Sequence, residues 1–360
     1  MVASRLPKLG DPWQRVSPPD AGFTPDLVRK LAAGIESGLL RHIHEVLIAR
    51  GDRLLLEHYD KGQDENWGNA IGTVRFGPET LHDLRSVTKS IVGLLYGMAL
   101  DRGLVPPPAA PLVAQFPEYS DLAAGGTLDG LTIEHALTMT LGLAWDENRP
   151  YTDPENSEIA MESAPDRNRY VLSQPKVAEP GARWIYSGGC VALIGAIVAR
   201  GTGMSLPDFA QQVLFGPLGI DRFEWTVGRD GVASAASGLR LTGPDLLRIG
   251  RMILANGAHD GTPIVSRSWL DNSRKPAAPT GDGLHYGRLW FLGEAQIGGR
   301  GKPVPWMGAF GNGGQRLWIM PDADLAVTIF AGHYNAPDSW VTPMRIWREI
   351  VLANLVNPNA

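Results

Sequence analysis

The sequence predicts an α/β chain of the α+β type: an antiparallel sheet flanked by helices, plus a mainly helical second domain. Three observations carry this. Strand-forming apolar runs stand near the start, at residues 43–49 and 53–59, and near the end, at 316–320 and 325–331. Short turns, Arg50-Gly51-Asp52 and Pro321 to Asp324, join the members of each pair, so each pair should run antiparallel. Between the two ends the chain reads as helix and loop. Residues 1–104 and 266–360 are therefore expected to form the sheet domain, with 105–265 as an inserted helical domain and an active site in the cleft between them.

Taken in order, residues 1–23 read as an extended arm. Thr24 and Pro25 mark a helix start, and the helix should run to about Glu36. The hairpin of 43–59 follows, then a polar, glycine-bearing loop over 60–81. Residues 84–103 form an almost wholly apolar helix, which should be buried. Residues 105–117, rich in Pro and Ala, read as a connector. Thr132 caps a short helix over 133–139. Residues 144–168 read as a long loop with a short helix near Glu158; a long ordered loop of this kind often forms a binding wall, with Trp145 and Tyr151 as wall candidates. The stretch 169–174 fits helix or strand. Helices are expected over 192–200, from Ser205 to about Leu214, and over 246–254 after Thr242. Strands are expected over 286–292, 316–320 and 325–331, and a last helix from Pro343 to about Leu355.

Composition sets outer bounds. With 360 residues the chain can bury a large core. Its 33 basic and 38 acidic residues give a formal net charge of −5 without a basic block, which argues against nucleic acid as a partner. The one cysteine, Cys190, excludes an internal disulfide. No apolar leader follows the basic residues of the first fourteen, and no run of 18 apolar residues occurs, so a cytoplasmic protein without a membrane span is expected. No His-x-x-x-His or Cys cluster suggests a metal, and no phosphate loop is visible, so no cofactor is expected.

The chemistry centres on the start of the buried helix. Ser86 and Lys89 are three residues apart, which places both side chains on one helical face. A serine hydroxyl needs a base to become a nucleophile, and a lysine in an apolar, crowded place has a lowered pKa and can be that base. The same four residues also fit a cap with a snorkelling lysine. A second dense patch runs from Pro180 to Gly189, where Tyr186 could relay a proton to a leaving group. A third, Gly308 to Gln315, precedes a strand. Its glycines suit a sheet edge approached closely by substrate, and an edge N–H there, with the Ser86 N–H, would make an oxyanion hole.

The string His82 to Ser90, followed by the Tyr186 and Gly308–Gln315 patches in that order, resembles the β-lactamase-like serine hydrolases. That family has the class C β-lactamase and penicillin-binding-protein fold, and this chain is most similar to its carboxylesterases and 6-aminohexanoate-dimer hydrolases. The resemblance spans about residues 18–352. It implies a nucleophile at Ser86, a base at Lys89, a proton carrier at Tyr186, and a second oxyanion donor in the N–H of Gln315. Position 188, where the family has asparagine, is Gly188. Asn312, Gly313 and Gly314 stand where it has Lys-Thr-Gly or His-x-Gly. These positions are implied substrate contacts, and the missing lysine disfavours substrates bearing a carboxylate.

The function expected is metal-free hydrolysis of carboxylic esters, and of small amides, through a Ser86 acyl-enzyme. A linear amidase, a β-lactamase or penicillin-binding enzyme, and a non-catalytic binding module are the alternatives. The expected partner is a small ester or amide, with the protein a monomer or homodimer and neither nucleic acid nor membrane involved.

Overall fold

A computed structural model describes residues 13–356. The described residues divide into two compact units. Unit 1 takes them from Met1–His82, Leu241–Ala255 and Glu294–Ala360, and unit 2 from Asp83–Arg240 and Asn256–Gly293. This differs from the division expected at 104 and 266. The Ser86 helix falls within unit 2, because it is buried on nearly every side and packs on another apolar helix, Gly188–Thr202. The amphipathic helix Gly243–Leu254 falls within unit 1, against the sheet. The first twelve residues of the expected arm lie outside the described residues.

In unit 1 the strands stand in the order Gln14–Arg15, Arg53–Tyr59, Ile43–Arg50, Leu325–Ala331, Gln315–Met320, Arg300–Gly311, and then Phe291–Ile297 from Glu294 onward. Neighbours whose register is defined pair antiparallel, apart from the parallel edge contact of Gln14 with Arg53. Both expected hairpins form. Three of their strands are buried along their whole length, as runs of Val, Ile and Leu require, and Arg53–Tyr59 is buried at Leu54, Leu55 and Leu56. Gly250 lets its helix press onto the sheet: a Cβ there would stand 3.1 Å from Leu317 and 3.2 Å from Ala326. Trp347 stacks on Trp318 at 5.1 Å, fixing the C-terminal helical segment on the sheet.

Three expectations in unit 1 are corrected. The segment over 60–81 is not a plain loop: Lys61–Asn66 and Asn69–Arg75 pair as a hairpin. Its turn residues Trp67 and Gly68 both have positive φ, the conformation a two-residue hairpin turn needs. The patch before Gln315 is mostly strand, since Arg300–Gly311 runs for 12 residues and only 312–314 turn. The helix at 26 starts one residue late, at Asp26, because the Thr24 hydroxyl bonds Asn354 instead of capping.

In unit 2, Gly188–Thr202 begins four residues earlier than expected, with the Ser187 hydroxyl accepting from the Cys190 N–H at 3.2 Å. The ambiguous stretch near 170 is helix Arg167–Leu172, capped by Asp166. The strand expected over 286–292 is broken: His285–Tyr286 pairs antiparallel with the residues from Phe291 on, through a turn that carries Leu289 at φ 60.

Candidate active site

The chain enters the buried helix through a tight bend. Arg85 has φ 48, in the left-handed region that a bulky side chain rarely adopts, and Asp83 holds it there. The Asp83 carboxylate accepts from the Arg85 N–H at 3.0 Å and forms an ion pair with its guanidinium, Nε to Oδ2, at 3.1 Å. Ser86 follows as the residue that leads into helix Val87–Asp101, with the Lys89 N–H already bonded to its carbonyl. Backbone N–H groups at such an end are oriented toward negative charge.

Lys89 is 1% exposed, and its ammonium donates to three acceptors: Ser86 Oγ at 2.9 Å, Glu158 Oε2 at 3.1 Å and the Ala236 carbonyl at 3.0 Å. Three N–H donors meet three acceptors, so the geometry is that of a charged lysine. This corrects the expectation of a lowered pKa. Burial alone would lower it, but the charges of Glu158, Tyr186 and Glu147 together outweigh burial and raise it. The sequence reading missed both carboxylates, although both lie in the loop region it marked as a wall. Glu158 gains its position from Asn156, whose side chain caps helix Ser157–Ser163.

Tyr186 lies beside the pair. Its hydroxyl hydrogen-bonds Ser86, and Lys89 Nζ sits 5.1 Å from its ring centre. Burial raises the phenol pKa while Lys89 pulls it down. Trp184 and Phe291 pack around the ring, at 5.9 and 6.2 Å.

Glu147 closes the cluster. It accepts from the Gly188 N–H, from Trp145 Nε1 at 2.6 Å and from the Tyr151 hydroxyl at 3.1 Å, and it reaches Lys89 Nζ at 4.0 Å. Burial, and then the charge of Glu158, push its carboxyl up to about 7. Glu158 itself is held low: burial raises it, but Lys89 and hydrogen bonds from Ser237 and Glu147 prevail. Gly188 leaves space for this arrangement. A Cβ at that position would stand 2.6 Å from Glu158 Oε2 and 3.1 Å from Glu147 Oε1. Two carboxylates thus fill the place where a side chain would begin.

Ser86, Lys89, Tyr186, Gly188, Trp145 and Tyr151 are all in unit 2, and the hydrogen bonds above join them. Tyr151 and Trp145 both act as donors to Glu147. Trp145 also lines a groove of about 340 Å³ with Asp146, Gln174 and Arg183, which Ser86, Lys89 and Tyr186 do not line.

Asn312, Gly313, Gly314 and Gln315 are in unit 1. Gly313 and Gly314 have φ 88 and 104, a turn that needs glycine. The Asn312 side chain is engaged with Asn335, donating to its Oδ1 at 3.1 Å and accepting from its N–H at 2.8 Å. Gln315 is fully buried, and its amide locks onto the Ala331 backbone in both directions.

Among the described residues, one group of donors could hold a metal. His44, Asp64 and His82, all in unit 1, place ligand atoms within 4.8 Å of one another. They are already hydrogen-bonded: His44 Nδ1 is 2.9 Å from His82 Nε2, and Tyr334 donates to Asp64 at 2.7 Å. Burial, and then His82, hold His44 neutral, with its pKa lowered to about 3. Its members come from three separate strands, so no local spacing could have disclosed it.

A bent entry into a buried helix, with Ser86 and Lys89 on one face and Tyr186 alongside, is joined by wider likeness. The Beta-lactamase family model matches residues 39–342, and the chain belongs to that family. It is similar to the 6-aminohexanoate-dimer hydrolase of Paenarthrobacter ureafaciens, 28% identical over 316 residues that cover 81% of this chain and 73% of the relative. Esterase EstB of Burkholderia gladioli is 30% identical over 149 residues, 39% of this chain and 38% of the esterase. Among solved structures, EstCE1, a hydrolase with promiscuous acyltransferase activity, superposes with a TM-score of 0.71, with 17% identity over 91% of this chain and 98% of that one. The fold is that of the β-lactamases and transpeptidases, and the named relatives are hydrolases.

Proposed function

We propose that this protein is a serine hydrolase that cleaves carboxylic esters through an acyl-enzyme on Ser86. The observation that carries the reading is the 2.9 Å hydrogen bond between Lys89 Nζ and Ser86 Oγ inside a buried helix start. Ser86 Oγ attacks the substrate carbonyl, its proton passing to Lys89 once that lysine is neutral. The Ser86 N–H, at the helix start, faces the charge that grows on the carbonyl oxygen. Tyr186 donates its hydroxyl proton to the departing alcohol and recovers one from Lys89. Water then cleaves the ester on Ser86 by the reverse proton path. Gly188 and Asn312 replace an amide and a cation of the resembled family, which favours neutral esters over β-lactams carrying a carboxylate. The 6-aminohexanoate-dimer hydrolase likeness over most of the chain supports a second reading, cleavage of short linear amides.

The test is a substrate panel with active-site labelling. p-Nitrophenyl butyrate should be turned over faster than benzylpenicillin, and a fluorophosphonate should add one mass increment to the peptide containing Ser86. Labelling of a different serine, with Ser86 unmodified and turnover abolished, would defeat the mechanism. Faster turnover of a linear amide than of any ester would select the second reading.

A further inference from the structure

We propose that Glu147, beside Glu158, is the positioning residue that stores the proton Lys89 must give up before it can act on Ser86. The inference rests on the acyl-enzyme reading above and deepens it. As built, Lys89 cannot serve as a base, because all three of its N–H groups are donated and no lone pair faces Ser86. A proton has to leave the ammonium first, and the buried surroundings limit where it can go. Glu158 is directly bonded to Lys89, and Glu147, which lies 4.0 Å from Lys89 Nζ, donates a hydrogen bond to Glu158 once it carries a proton. Two carboxylates this close share one proton more readily than they bear two charges.

The step balances. The Lys89 N–H bond breaks and an O–H bond forms on the carboxylate pair, leaving a neutral amine and one shared proton. Ser86 then gives its proton to Lys89 as its oxygen bonds to the substrate carbonyl carbon. Tyr186 protonates the leaving group and is reprotonated by Lys89, and the carboxylate pair returns its proton to Lys89 to restore the start. Gly188 makes the pair possible, since any side chain there would collide with Glu158 Oε2.

The charged and titratable groups acting on Glu147 come from every surrounding element: Lys89 on its helix, Glu158 on the next, Tyr151 on the same loop, Tyr186, Cys190 on helix Gly188–Thr202, and Tyr286. Lys89 is the one cation among them. The pair accepts a proton when both members are ionised, so acylation should rise with pH as Glu147 loses its proton, near pH 7.

The experiment measures p-nitrophenyl butyrate bursts by stopped flow from pH 5 to 9, together with carboxyl ¹³C NMR of glutamate-labelled protein. Wild type should show acylation rising near pH 7 and one glutamate carboxyl titrating with it. Glu147→Gln should lose that resonance and the rise, with acylation at pH 8 about 100-fold below wild type, within the range of general-base help. Glu147→Asp should keep the rise and stay within about tenfold of wild type. A Glu147→Gln variant with the wild-type rate and pH profile overturns the proposal. If wild type shows neither a burst nor Ser86 labelling, the ester reading fails separately. The NMR titration then still decides: the absence of a carboxyl titrating near pH 7 overturns the shared-proton pair.

Discussion

Two buried sets of ionisable groups, one in each unit, are built differently. In unit 2, Glu158 and Glu147 surround Lys89, and the cation keeps Glu158 ionised although it is 2% exposed. In unit 1, the charges that act on Glu45 among the described residues are those of other carboxylates. Burial, and then the charge of Asp64, push its carboxyl well above the usual range, so it stays protonated. His44 is likewise held neutral. The same cost of burying charge is met by pairing in one place and by neutrality in the other. The paired set can move protons between its members, and the neutral set cannot do so without taking a charge into an apolar interior.

The contrast breaks most sharply at Lys89. Lys89→Met leaves Glu158 and Glu147 without their cation, and removal of one partner of a buried ion pair costs about 3–5 kcal/mol. Glu158 would then bind a proton in the folded state that the unfolded chain has released, so the loss should be larger at pH 8 than at pH 5. Urea unfolding at both values measures it, and equal losses would show that the pairing does not hold the charge. Acylation should also fall by about 10² to 10⁴.

A smaller effect of the opposite sign is expected in unit 1. The folded-state pKa of Glu45 is raised, so its contribution to stability is full below the unfolded carboxylate pKa and is lost as pH climbs toward the folded value. Glu45→Gln removes that loss. The variant should gain on wild type by up to about 1.4 kcal/mol for each pH unit above that point. A constant difference between pH 5 and 8 would mean that Glu45 is ionised in the folded protein. The least effect is expected from chelation. The His44, Asp64 and His82 side chains are already joined by hydrogen bonds, so dialysis against EDTA should leave the melting temperature within about 1 °C. A fall reversed by zinc would place a metal there.

These contrasts also mark what the sequence made legible. Ser86, Lys89 and Tyr186 were visible because a three-residue spacing on an apolar helix and a glycine-flanked tyrosine are local patterns. The hairpins at Gly51 and Pro321 were visible because their strands are buried and apolar. The hairpin over 61–75 was not, because its strands are polar and largely exposed, with a Trp67-Gly68 turn as the one cue. Strand Arg300–Gly311 was masked by Pro303, Pro305 and its glycines, all poor strand formers. The charge state of Lys89 was misread because it depends on Glu147 and Glu158, 58 and 69 residues away along the chain, which only the folded loop brings near. Glu45 and His44 gave no signal at all within their strand, where a buried polar residue looks like an outward-facing one.

The space at Gly188 bears on how such a site can change over generations. Asparagine there would meet Glu158 Oε2 at its first side-chain carbon, so a direct replacement is blocked while Glu158 stands. Shortening Glu158 first would open the space, though Lys89 would lose its nearest counter-charge on the way. The glycine and the carboxylates are thus locked to one another by epistasis: a lineage moving to an asparagine at 188 has to pass through Glu158 before it can alter the glycine.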